Sequence, residues 1–98
     1  MRPAPRAPSA QVYVCTNARA PEDPLRSACG EHGPGVFRAL KAEVFRRSGG
    51  RVWVTATGCQ GHCPRGGCAV ALQPSNTHLV DVTEGDVPAL TEVLCKGP

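Results

Sequence analysis

The sequence predicts an α/β sandwich, a mixed four-stranded sheet carrying two helices, and three observations lead there. Two β-branched runs, QVYVCT at 11–16 and RVWVTAT at 51–57, flank an amphipathic helical pattern. Two further strand patterns, CAVALQ at 68–73 and HLVDV at 78–82, are joined by the turn-rich PSNT. The chain closes on a second helical pattern, TEGDVPALTEVL at 83–94.

Each element has its own warrant. The first strand carries Cys15 at its C-terminal end. NARAPEDPLRSACGEHGPG follows, rich in proline, glycine and charge, and reads as a long loop holding Cys29; a structureless loop longer than ~12–15 residues in a small domain is usually functional. The first helix is read over 36–50, where Val36, Phe37, Leu40 and Val44 share a face, Arg46 and Arg47 suit the last turn, and Gly49 and Gly50 supply a left-handed stop. In the last helix, Thr83 and Asp86 both qualify as N-caps. Asp86 is preferred because it leaves Pro88 in the first turn, where a missing N–H costs little. Val87, Leu90, Thr91 and Leu94 then form the inward stripe.

The order of elements sets the topology. A strand–helix–strand unit favours parallel pairing through a right-handed crossover, and the later strand pair favours an antiparallel hairpin. The result is a thioredoxin-like arrangement at 11–98, preceded by a flexible, proline-rich arm at 1–10.

Composition narrows the function. Only four residues are aromatic, too few for a base-stacking platform, and Arg46–Arg47 is the sole adjacent basic pair, so no nucleic-acid partner is expected. No apolar run approaches the ~20 residues of a membrane span. The opening MRPAPRAPSA lacks the apolar centre of a secretory signal. A cytoplasmic setting follows as the expectation, and there six cysteines favour metal or redox chemistry over structural disulfides.

Four cysteines matter most. With parallel neighbouring strands, Cys15 and Cys59 emerge at the carboxyl end of the sheet, where open α/β folds bind ligands. The loop holding Cys29 returns to the helix start at that end, and Cys63 follows Cys59 by four positions. Zinc knuckles favour C-x2-C pairs, which are absent here. A [2Fe–2S] cluster fits four such thiolates better, and Gly58, Gly61, Gly66 and Gly67 let backbone amides approach its sulfurs. The helix start adds positive dipole, and Arg65 can balance charge from the rim.

The chain resembles the thioredoxin-like [2Fe–2S] ferredoxins. VYVCTN at 12–17, the long cysteine-bearing loop, TGCQGHC at 57–63, the PRG after it, VTEGDVPALTEVL at the end, and the spacing C-x13-C-x29-C-x3-C carry the likeness. The resemblance implies a [2Fe–2S] cluster ligated by Cys15, Cys29, Cys59 and Cys63, one-electron transfer with redox partner proteins, and a homodimer. No catalytic constellation stands out, so turnover of a substrate is not expected. A non-redox four-cysteine zinc module and a thiol-based redox sensor are the alternatives.

The remaining chemistry-bearing residues have plainer readings. Cys68 and Cys95 are small apolar residues or exposed thiols, Cys68 being near enough to replace a ligand. His32, His62 and His78 are surface residues, of which His62 alone lies close enough to tune a cluster. Trp53 belongs to the core or to a dimer interface.

Overall fold

The computed structural model describes residues 1–20, 22–24, 28–62 and 64–96. Strand β1 spans Ala10–Cys15, helix α1 Cys29–Ser48, β2 Val52–Thr57, β3 Cys68–Gln73 and β4 Thr77–Val82; a 3-10 turn at Glu84–Asp86 leads into α2 at Val87–Cys95. The sheet order is β2-β1-β3-β4. β1 pairs parallel with β2 and antiparallel with β3, and β3 pairs antiparallel with β4. The mixed four-stranded sheet with two helices is therefore as the sequence predicts.

Burial explains why these runs became strands. Val12 and Val14 of β1, Val70 and Leu72 of β3, and Val36, Leu40 and Val44 of α1 belong to one buried cluster, which α2 completes with Val87, Leu90 and Leu94. The inward stripe of α2 includes buried Thr91, whose hydroxyl donates to the Val87 carbonyl at 2.8 Å, so burial leaves it satisfied. The opposite face carries the row Thr55, Tyr13, Ala71 and His78, with Trp53 beside it. Trp53 is 37% exposed and so is not core; its indole N–H donates to the Gly50 carbonyl at 3.1 Å. Among the described residues no helix is long and apolar enough to cross a membrane.

Three local details differ from the sequence-based expectation. Helix α1 begins at Cys29, seven residues before the predicted start, and runs through Pro34. Proline there removes the donor that the Gly30 carbonyl would otherwise meet. Packing outweighs that loss: a side chain at Gly33 would overlap the carbonyl oxygen of Cys15, so the first turns of α1 lie directly on the end of β1. At the other end, Gly49 (φ 62°) closes the helix with its N–H on the Phe45 carbonyl at 2.9 Å, as expected.

The second difference concerns Asp86. It occupies the N-cap position of α2, but its carboxylate turns back to accept from the Thr83 N–H at 2.9 Å, capping the preceding 3-10 turn instead. The third is β1, which starts at Ala10, inside the stretch read as an arm, with the Ser9 N–H donating to the Arg51 carbonyl at 2.9 Å.

Candidate metal centre

Cys15 is the last residue of β1 and stands opposite Thr57, the last residue of β2. The parallel pairing continues one step further, because the Thr16 N–H donates to the Thr57 carbonyl at 3.0 Å and its hydroxyl donates to the same oxygen at 3.3 Å. Cys59, two residues beyond Thr57, is thereby held at the same end of the sheet. Cys29 is the first residue of α1, whose N-terminus lies against the Cys15 carbonyl through Gly33. Sheet ends and helix start converge where the sequence places the site.

Cys15 and Cys29 are each only 2% exposed. Burial pushes the Cys15 thiol above the ordinary range; backbone N–H groups of Asn17 and Gln60 directed at its sulfur oppose this, while a hydrogen bond and charge interaction with Cys29 add to it. The two thiols are thus in contact in a poorly solvated place, under a helix N-terminus that favours negative charge. Cys59 is exposed, and its sulfur accepts from the Gly61 N–H at 3.3 Å. Gly61 has φ 92°, a conformation that a side chain would strain.

Cys63 lies outside the described residues. Its neighbours show where the loop goes: His62 is exposed, Pro64 is buried, and the Pro64 carbonyl accepts from the Ala28 N–H at 2.7 Å. Among the described residues no three His, Cys, Asp or Glu side chains converge as a metal-binding group. What the structure brings together is the Cys15–Cys29 pair with the Cys59 loop beside it.

The donor set suits a thiolate-bound metal group. A metal ion bound between the neighbouring Cys15 and Cys29 would take the place of thiol protons, and three backbone amides already face the sulfurs of Cys15 and Cys59. The glycines divide more sharply than the sequence implies. Gly61 does turn its amide to sulfur, whereas the Gly66 N–H donates to the Asp81 carboxylate at 2.9 Å and anchors the loop to β4.

Two features escaped the sequence reading. Cys68 is wholly buried at the start of β3, and burial pushes its thiol up to about 12, with Cys29 adding to the effect. Nothing in CAVALQ distinguishes such a residue from an exposed thiol, because burial there depends on β3 being flanked by two strands. His62 and His78, sixteen positions apart, form an exposed pair with Nε2 and Nδ1 3.1 Å apart. Arg65 is exposed and His32 half-buried, and Cys95 sits half-buried on α2, its carbonyl accepting from Arg51 at 3.5 Å beside the start of β2.

No protein-family model matches the chain, and no curated protein sequence matches it. Solved structures do. A thioredoxin-like [2Fe–2S] ferredoxin from Aquifex aeolicus superimposes with a TM-score of 0.80 at 27% identity, covering 93% of this chain and 84% of that one. The wild-type crystal structure from the same organism gives 0.77 at 28% identity, covering 93% and 89%. A cysteine-to-serine variant of it gives 0.79 at 26% identity, covering 90% and 88%. In fold and over about nine-tenths of its length, the chain is similar to the thioredoxin-like [2Fe–2S] ferredoxins.

Proposed function

We propose that the chain is an electron carrier that binds a [2Fe–2S] cluster through Cys15, Cys29, Cys59 and Cys63. The observation that carries this reading is the buried Cys15–Cys29 contact with the amides of Asn17 and Gln60 facing Cys15. The similarity to solved ferredoxins of that kind supports it.

When bound, such a cluster supplies a one-electron couple. The chain's residues do the rest. The amides facing sulfur favour extra negative charge, and the N-terminus of α1 at Cys29 acts in the same direction. The burial of Cys15 and Cys29 excludes water on one side, while exposed Cys59 leaves the other side open to a redox partner protein. In this reading the protein works in the cytoplasm without substrate turnover of its own. It forms a homodimer, for which the sheet face bearing Trp53 and Tyr13 offers apolar surface.

Purification under argon tests the proposal. The expected protein is reddish-brown, contains iron and sulfide in equal amounts, and shows visible bands that bleach with dithionite. Alanine at Cys15, Cys29, Cys59 or Cys63 should each lose or perturb those bands, while Cys95→Ala keeps them. A colourless protein holding stoichiometric zinc would overturn the reading.

A further inference from the structure

Gln60 lies between exposed Cys59 and Gly61, yet its side chain points back into the fold. The amide nitrogen Nε2 donates to the Tyr13 carbonyl at 3.0 Å and to the Thr57 hydroxyl at 3.1 Å. Tyr13 is two residues before Cys15, and Thr57 two residues before Cys59. One side chain therefore ties the loop to β1, which ends in Cys15, and to β2, which leads into Cys59.

The orientation of this amide is fixed by chemistry. A backbone carbonyl can only accept, so nitrogen must face Tyr13. The Thr57 hydroxyl donates its own proton to the Gly58 carbonyl at 3.1 Å, so it too is left to accept from Gln60. An amide turned the other way would set oxygen against oxygen at Tyr13. Among the described residues Oε1 is buried without a partner. The fold thus uses Gln60 as a donor.

We propose that Gln60 is a positioning residue: its side chain holds the Cys59 loop on the ends of β1 and β2 and thereby sets the reduction potential of a cluster bound there. This rests on the electron-carrier reading above. The backbone N–H of Gln60 faces the sulfur of Cys15, and the next N–H, that of Gly61, reaches the sulfur of Cys59 at 3.3 Å. Both are carried by the segment that the side chain fastens. A loop free to move would hold these amides on sulfur for a smaller fraction of the time. Amides donating to sulfur stabilise the more negative, reduced state more than the oxidised one, so a loosened loop lowers the potential. Gln60 is uncharged, so its effect can be separated from that of a neighbouring charge.

The experiment compares cluster-loaded wild type with Gln60→Leu, Gln60→Asn and Thr57→Val. Leucine keeps the bulk and loses the donor; asparagine keeps the amide but is one methylene shorter and reaches only one acceptor. Visible spectra establish that the cluster is present, and redox titration reads the potential. Gln60→Leu is expected to shift the reduced-to-oxidised ratio at the wild-type midpoint about tenfold toward oxidised, equivalent to about 59 mV for a one-electron couple. Gln60→Asn and Thr57→Val should shift it in the same direction by less. Hydrogen exchange at the Gln60 and Gly61 amides should quicken in the same order, and this readout needs no cluster. Unchanged potential in fully loaded Gln60→Leu, or unchanged exchange at those amides, overturns the proposal. Should Gln60→Leu fail to fold, the same criteria apply to Gln60→Asn and Thr57→Val. A colourless, zinc-bearing wild type overturns the electron-carrier reading instead, and amide exchange then decides the loop-fastening role separately.

Discussion

The carbonyl of Pro64 accepts a 2.7 Å hydrogen bond from the amide of Ala28, joining the residue after Cys63 to the residue before Cys29. Ala28 has φ −84°, near the range that proline occupies, so Ala28→Pro removes this donor with little backbone distortion. The buried acceptor left behind costs about 1–3 kcal/mol. The variant should keep its far-UV helix signal, unfold at lower urea concentration and, when loaded with the proposed cluster, release iron to a chelator faster than wild type.

Gly33 and Gly49 make a matched pair for testing close approach against backbone strain. A side chain at Gly33 overlaps the Cys15 carbonyl and comes 3.0 Å from the Thr16 Cα, whereas Gly49 has φ 62° and open space around it. Gly49→Ala should cost about 1–2 kcal/mol, the strain of a left-handed residue. Gly33→Ala should cost about 1–3 kcal/mol by overpacking and, because it displaces the strand end bearing Cys15, also impair metal retention. Urea titrations report the stabilities. Equal metal retention in the two variants would contradict the proposed contact between helix and site.

Cys68 gives the metal-free chain an alkaline liability. Its folded value, pushed up to about 12, lies above that of an unfolded thiol. The stability associated with its neutral thiol is therefore fully present below the unfolded value and is lost as pH rises toward about 12, by about 1.4 kcal/mol per pH unit. Under reducing, metal-free conditions, the urea midpoint should fall between pH 9 and 11, and Cys68→Ala should flatten that fall. At pH 8 iodoacetamide should label half-buried Cys95 well before Cys68, as peptide mapping would show.

Leu40 is fully buried at the centre of α1, and Arg47 on the same helix pairs with Glu92 of α2 at 3.0 Å in a partly exposed position. Leu40→Ala should cost about 2–5 kcal/mol, Arg47→Ala about 0–1. A comparable loss from the two would mean that the helices are held together by charge more than by the shared core.

Much of this was legible because strand signals here are strong. β3 matches its predicted span residue for residue, and the other strands shift by a residue at their ends. The start of α1 was hidden because Gly30, Gly33, Pro34 and Gly35 all disfavour helix in isolation. The smallness of the glycines becomes useful only in the fold, where Gly33 lies on the Cys15 carbonyl, Gly30 on Asn17 and Ala18, and Gly35 against the Glu84 side chain, contacts between residues far apart in sequence. The role of Asp86 was half legible: position follows from spacing, but the choice between two neighbouring turns depends on three-dimensional reach. Cys15 and Cys59 could be placed together because parallel pairing forces it. The Gln60 side chain could not, since its partners Tyr13 and Thr57 meet only once the sheet has formed.

Arg51 holds the Ser9 hydroxyl at 3.2 Å and the Cys95 carbonyl at 3.5 Å, so polypeptide leading into β1 and polypeptide leaving α2 pass the same side chain. That clasp stands at the foot of β2, and Cys59 follows its far end. Any affinity handle, surface tether or fused domain attached upstream of Ser9 or downstream of Cys95 therefore hangs from the pole opposite Cys15 and Cys59. Immobilised by such a linkage, the molecule would present the end bearing Cys15 and Cys59 outward to an electrode or to a docking protein.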